Sequence, residues 1–196
     1  MTRLWLIRHG QTDWNREGRW QGQSPAAPGL NAAGWSQARA LADQLAGRSF
    51  TALYSSDLSR AWQTAEVIGA RLNLRVLAEP RLREISLGAW EGRRADEIAQ
   101  QHPDEVAARE RDPVHSRAPG GESVAELARR VAAAADDLAD RHRGADVLVV
   151  AHGLALATLL CRAQAHPLDQ AYDLIPDNAA PMVVAWEATE AVRPDH

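Results

Sequence analysis

Three short stretches of the chain are apolar almost without interruption, and each stops at residues that carry chemistry. Residues 3–7 close on Arg8-His9-Gly10, residues 51–56 run through Ser55-Ser56 into Asp57, and residues 146–151 lead into His152-Gly153. Runs of this length read as strands buried on both faces. Between them the apolar spacing turns helical. Trp35, Ala38, Leu41, Ala42 and Leu45 share one face, as do Leu58, Ala61, Ala65, Ile68 and Leu72, and the stretch from Ser123 repeats it with Val124, Leu127, Val131, Ala135 and Leu138. Buried strands alternating with amphipathic helices predict an α/β fold, a three-layer sandwich whose mostly parallel central sheet has helices on both faces. Ligands of such sheets bind beyond the carboxyl ends of the strands, where the polar residues sit here.

The length of 196 residues suits a single domain spanning 1–196, able to bury roughly 70% of its extended surface. A final strand is expected at 181–186, followed by a polar tail that should fray. Residues 16–33, with Pro25, Pro28, Gly18, Gly22 and Gly29, read as loop, and about 88–121 as an insertion with one or two short helices. Such an excursion can form the lid of a pocket.

All 22 residues in the Lys+Arg total are Arg, which removes chemistry that needs an amine: Schiff bases, a Ser-Lys dyad, the phosphate-loop lysine. Any anion must be held by Arg, His or backbone N–H. A net charge of -4 and a pI near 6.0 give no general attraction for nucleic acid or acidic membrane, so a small partner is expected. The lone Cys161, in an apolar run, is expected to be a buried structural thiol. The N-terminal apolar run is too short for a signal peptide and no stretch reaches membrane-span length, so a cytoplasmic protein is expected. An apolar patch using some of the seven Trp could support a homodimer.

Two strands present the same device, an imidazole followed by Gly at a carboxyl end: His9-Gly10, with the fixed cation of Arg8 beside it, and His152-Gly153. A third strand ends in Ser55-Ser56-Asp57-Leu58-Ser59-Arg60, where Asp57 or Ser56 could cap a helix. Arg60 would then lie in the first turn, at the positive end of the dipole, a costly place for a cation unless an anion offsets it. Its alternative is a surface pair with Glu66 or Asp57. The segment Leu82-Arg83-Glu84-Ile85-Ser86-Leu87-Gly88-Ala89-Trp90-Glu91-Gly92 offers two candidate acids, Glu84 and Glu91. No His-x-x-x-His pair or other metal cluster is visible, and His102, His115, His142, His166 and His196 are expected to be scattered on the surface.

The chain resembles the histidine phosphatase superfamily, which includes cofactor-dependent phosphoglycerate mutases and many phosphomonoesterases. The resemblance rests on Arg8-His9-Gly10-Gln11-Thr12-Asp13-Trp14-Asn15, Gln21-Gly22, the Ser55 to Ala65 segment, Leu82 to Gly92, Pro119-Gly120-Gly121-Glu122-Ser123 and Ala151-His152-Gly153, in order along nearly the whole chain. It implies that His9 is the nucleophile and forms a phosphohistidine, and that Glu84 protonates the leaving oxygen. Arg8, Arg60 and His152 would form the phosphate pocket, with Asn15, Gln21 and Gly153 as further contacts to substrate. The chain departs from the family after Gln21-Gly22: Gln23-Ser24-Pro25-Ala26-Ala27-Pro28-Gly29-Leu30 is longer than usual and has no acid.

Unaided hydrolysis of phosphate monoesters is so slow that enzymes supply accelerations of up to ~10²¹-fold, so charge neutralisation and alignment must both be strong. Two guanidiniums and two imidazoles around one phosphoryl group provide this without a metal or organic cofactor. His9 must be neutral at its attacking nitrogen, and a backbone carbonyl accepting from the other nitrogen would fix the tautomer. Glu84 must carry a proton when substrate is bound. The reading is therefore a metal-independent phosphomonoesterase acting on a small phosphorylated metabolite; related small phosphatases act on α-ribazole phosphate, on glucosyl phosphoglycerate or broadly on phosphomonoesters, and the resemblance leaves all three open. The rivals of this reading are phosphoryl transfer of the phosphoglycerate mutase type, and a non-catalytic phosphate-binding module on the same fold. The mutase branch is usually longer and carries a Glu-Arg-His-Tyr-Gly segment where this chain has Arg83 to Gly92, and a pure binder has no need for Glu84.

Overall fold

A computed structural model describes residues 1–188; the polar tail expected to fray falls mainly in 189–196, outside the described residues. Strands β1 (Thr2–Arg8), β2 (Ala52–Ser55), β3 (Val76–Ala78), β4 (Asp146–Ala151) and β5 (Pro181–Trp186) form one sheet in the order β3-β2-β4-β1-β5. Every neighbouring pair is parallel except β1 with β5. The three central strands are the three apolar runs of the sequence. Strand β3 has too few residues to signal itself.

The period of two along each central strand builds the layers. Leu4 and Leu6 of β1, Ala52 and Tyr54 of β2, and Val147, Val149 and Ala151 of β4 pack into one apolar cluster with α6 (Val124–Arg141) and α7 (Gly153–Ala163). Ile7, Leu53, Leu148 and Val150 point the other way, into a second cluster with α2 (Ala32–Leu45) and α3 (Ser59–Leu72). On α6 the five expected core positions are all buried. On α2 the buried stripe starts at Gly34 and Trp35 is only half-buried, because the helix start lies against another backbone: a Cβ on Gly34 would sit 2.1 Å from the Gln11 carbonyl.

Local chemistry also departs from expectation before α3 and within the 16–33 loop. Neither Asp57 nor Ser56 caps α3; Leu58 holds the N-cap position and Asp57 is paired with Arg83 instead. A short helix α1 (Asp13–Glu17) precedes the loop, opened by a capping box between Thr12 and Asn15 and closed by Gly18 at φ 69°. The insertion at 88–121 contains α4 (Ala95–Gln101) and α5 (Pro103–Arg111). Its base is pinched shut: Ala89 N–H donates to the Pro119 carbonyl at 3.0 Å, and Glu122 N–H to the Ser86 carbonyl at 2.8 Å.

His102 and His142 are half-buried rather than on the surface: His102 packs near Trp90, and His142 shares a 3.0 Å hydrogen bond with the Tyr54 hydroxyl. His196 lies outside the described residues. Among the described residues the large exposed apolar side chains are Met1, Ile175 and Val183, with no Trp among them. Among the described residues no helix is long and apolar enough to cross a membrane.

Candidate active site

Strand register sets the two histidines side by side. Arg8 of β1 pairs with Ala151 of β4, so the chain leaves both strands at the same level; His9 N–H donates to the Ala151 carbonyl at 3.0 Å. Their ring centres are 5.3 Å apart, His9 is 3% exposed and His152 not at all. The order of connections reverses between β4 and β1, so this is the switch point where an open α/β sheet accepts a ligand.

His9 is held in one tautomer. Its Nδ1 lies 2.7 Å from the carbonyl of Gly10, an acceptor only, so Nδ1 carries the hydrogen and Nε2 keeps its lone pair. Arg60 Nε donates to that Nε2 at 3.2 Å. Burial, then the Arg60 charge, push the His9 imidazole well below its usual pKa, with Arg8 adding to the effect and the Gly10 contact opposing it. The ring is a buried neutral base whose one lone pair is held by Arg60.

Arg60 is 1% exposed, which excludes the surface-pair alternative. Its Nη2 donates to the Gly22 carbonyl at 2.9 Å, and burial, followed by opposing effects of Glu84 and Arg8, lowers it to about 10, so it stays charged at neutral pH. Arg8 donates from Nη1 to the Pro176 carbonyl at 2.9 Å, while its buried Nε has no partner. His152 Nε2 lies 2.8 Å from the Ser56 hydroxyl oxygen, which also accepts from Leu58 N–H at 3.3 Å, leaving the hydroxyl hydrogen free for the imidazole. The other ring nitrogen, Nδ1, is buried and unpartnered. Burial and then Arg60 hold His152 well below its usual pKa as well.

Glu84, in the irregular segment after β3, lines the same cavity and sets its carboxylate on the N-terminus of α7. Its carboxylate accepts from Leu154 N–H and Ala155 N–H, both at 3.1 Å, and from Ile85 N–H at 2.9 Å. A carboxylate satisfied by a helix N-terminus is favourably placed, and those bonds fix its direction. Glu91, the other candidate acid, has a different job. Its Oε1 accepts from Gln23 N–H at 2.8 Å and Leu87 N–H at 3.0 Å, so it braces the loop that carries no acid of its own.

A cavity of about 300 Å³ opens here, with Arg8, His9, Asn15, Gln21, Arg60, Glu84 and Gly153 in its wall; His152, fully buried, is not part of that wall. Asn15 Oδ1 is engaged by Thr12, and Gln21 Oε1 accepts from the Thr12 hydroxyl at 3.1 Å. At Gly153 a Cβ would press on Ile175 Cγ2 at 2.9 Å and only touch Arg8 Nε, at 3.4 Å. Sequence reading missed the outer wall. Arg109 of α5 lies over the rings of Trp20, Trp90 and Tyr172 at 4.8, 5.5 and 5.0 Å, and its Nη2 donates to the Tyr172 hydroxyl. An Arg in a charged surface-type helix gives no signal of this; only its tertiary placement does.

Known proteins similar to this chain are numerous. The chain is 37% identical over 160 residues to the protein named probable phosphoglycerate mutase GpmB of Yersinia enterocolitica, spanning 82% of this chain and 74% of that one. It is 32% identical over 187 residues to phosphoserine phosphatase 1 of Hydrogenobacter thermophilus, spanning 95% and 88%. The crystal structure of the α-ribazole phosphatase from Shigella flexneri superposes with a TM-score of 0.85 at 28% identity, covering 99% of this chain and 100% of that one. The family model for the histidine phosphatase superfamily, branch 1, matches residues 4–192 and so takes in every residue around His9, and the chain belongs to that superfamily.

Proposed function

We propose that this histidine phosphatase hydrolyses phosphomonoesters of small anionic metabolites through a phosphohistidine on His9, with no metal or organic cofactor. The observation that carries the reading is the pair of buried, unpartnered nitrogens, Arg8 Nε and His152 Nδ1, beside a neutral His9. An unsatisfied buried N–H such as Arg8 Nε costs about 1–3 kcal/mol, a cost that a phosphoryl oxygen would relieve on binding.

In this mechanism the Arg60 N–H that holds Nε2 in the free protein moves to a phosphoryl oxygen. The lone pair of Nε2 attacks phosphorus as the bond to the leaving oxygen breaks, and Glu84, a carboxylate in the free protein that takes a proton from the monoanionic ester as it binds, passes that proton to the leaving oxygen. Glu84, now a carboxylate, takes a proton from a water whose oxygen attacks phosphorus. The N–P bond breaks, inorganic phosphate leaves, and His9 returns to its neutral form. Arg8, Arg60 and His152 neutralise the transferring group throughout.

The outer wall supports a substrate class. Arg109 forms no ion pair among the described residues, yet it lines the cavity inside an aromatic cage. It suits a leaving group with a carboxylate, and α5 then acts as a lid carrying the specificity residue. Phosphate release to water distinguishes this reading from the mutase reading, which the Yersinia relative favours and which requires a second organic acceptor. Small metabolite substrates and a lone buried Cys161 support a cytoplasmic setting.

The test is kcat/KM on an alkyl phosphate and on p-nitrophenyl phosphate, whose leaving group departs without help. Glu84→Gln is expected to cost ~10²–10⁴-fold on the alkyl ester and far less on the aryl ester. Arg60→Ala is expected to damage both comparably, because it acts on the phosphoryl group. Equal losses on the two esters for Glu84→Gln would remove it as the acid.

A further inference from the structure

The Pro119-Gly120-Gly121-Glu122-Ser123 segment is left unused by the mechanism, as is the most heavily bonded side chain near the site, Arg130 of α6. Its Nη1 donates to the carbonyls of Arg81 at 2.8 Å and Arg83 at 2.7 Å, and its Nη2 to the carbonyl of Glu84 at 2.9 Å. The other side of the fork is met by Glu122, whose carboxylate accepts from Nε at 2.7 Å and Nη2 at 2.8 Å. Glu122 is tied in turn to the segment after the acid: its N–H donates to the Ser86 carbonyl at 2.8 Å, and Ser86 N–H reaches its Oε2 at 3.4 Å.

Residues 79–87 contain only a three-residue turn of 3-10 helix, Pro80–Leu82, and no strand or α-helix that would fix the backbone of Glu84. One planar guanidinium does this by spanning three carbonyls on one side and a carboxylate on the other. We infer that Arg130 and Glu122 form a positioning unit for the general acid: they fix the main chain of Glu84, while the N-terminus of α7 fixes its side chain. This inference rests on Glu84 being the proton donor. Gln23 adds a second donor to the Glu84 carbonyl at 2.9 Å, and Arg83 pairs with Asp57 just before the helix that carries Arg60. The acid and the phosphate-binding cation are therefore placed by one connected set of bonds.

Geometry decides which substitution tests this. Lysine keeps the charge, but a single ammonium cannot reproduce the fork that meets three carbonyls and a carboxylate. A misplacement of about 1 Å can cost ~10²-fold in rate. Arg130→Lys is therefore expected to lower kcat/KM on an alkyl phosphate by about 10–100-fold, with a loss under about 3-fold on p-nitrophenyl phosphate. Glu122→Gln is the second variant; it keeps the shape and removes the charge, and the same selectivity should appear in milder form. In the Glu84→Gln background, Arg130→Lys should add little on the alkyl ester, because the group it positions has gone.

The measurement is kcat/KM for the single and double variants on both esters, at a temperature where circular dichroism shows each protein folded. A purely structural role predicts equal losses on the two esters and multiplicative losses in the double variant, and either result overturns the inference. The two claims fail separately. If Glu84→Gln discriminates between the esters and neither Arg130→Lys nor Glu122→Gln does, the positioning unit is wrong and the acid stands. If Glu84→Gln does not discriminate, both fall.

Discussion

Two fully enclosed imidazoles held neutral by burial and by Arg60 should make the fold sensitive to mild acid. In the unfolded chain both His9 and His152 titrate near the ordinary value of about 6.5, whereas in the folded chain both lie well below it. Their contribution to stability is therefore present above about pH 6.5 and is lost as the pH falls, because only the unfolded chain takes up the protons. Lowering the pH from about 7.5 to about 5.5 changes the free energy of one such group by up to about 1.4 kcal/mol, or about 2.7 kcal/mol for both. For a chain of this size, about 1 kcal/mol moves the melting temperature by about 2–4 °C, so a fall of roughly 5–11 °C is expected over that interval. The assay is thermal unfolding at several pH values in phosphate-free buffer for wild type, His9→Asn and His152→Asn. Each variant should lose about half of the wild-type pH sensitivity. Identical pH slopes in all three proteins would show that these rings are not held neutral and would refute the electrostatic reading of the site. Asp57 and Glu79, held low by Arg83 and Arg81, lose their contribution only in stronger acid, so they do not confound the window.

The cationic pocket should accept a trigonal-bipyramidal phosphate mimic, so vanadate is expected to inhibit competitively, and chelators to leave kcat unchanged; activity that disappears with chelator and returns with a divalent metal contradicts this. Arg109→Met should raise KM for carboxylate-bearing phosphomonoesters such as phosphoserine by about 10-fold or more, a loss of at least about 1.4 kcal/mol, and leave p-nitrophenyl phosphate nearly unchanged. A uniform change in steady-state kinetics across both substrates would remove Arg109 from specificity. Gly22 has φ +49°, a Cβ there would sit 2.4 Å from Glu91 Oε1, and its carbonyl holds Arg60. Gly22→Ala should accordingly destabilise the fold by about 1–3 kcal/mol and reduce activity on both esters, checked by urea unfolding and initial rates.

What the sequence disclosed and what it concealed follow a physical division. The central strands were legible because burial on both faces demands unbroken apolar runs, and β1 and β4 deliver Arg8, His9 and His152 at their carboxyl ends. Cys161 was legible for the same reason and is buried. Arg60 was ambiguous from sequence, since a cation in a first helical turn is found both paired on surfaces and buried against ligands; only its 1% exposure decides. The two acids could not be ranked from composition, because their roles depend on which backbone N–H groups each reaches, those of α7 for Glu84 and those of Gln23 and Leu87 for Glu91. Arg109 and Arg130 were invisible for a related reason. Both sit in helices whose charged patterns look like ordinary solvent faces, and their partners lie on the order of tens of residues away along the chain.

A covalent bond between phosphorus and His9 Nε2 is read directly by rapid quench with labelled substrate. A labelled protein adduct is expected, stable in base and labile in acid, that maps to His9 and is absent in His9→Ala. Label retained at the wild-type level in His9→Ala, or turnover of wild type with no adduct on His9 at any time, would contradict it.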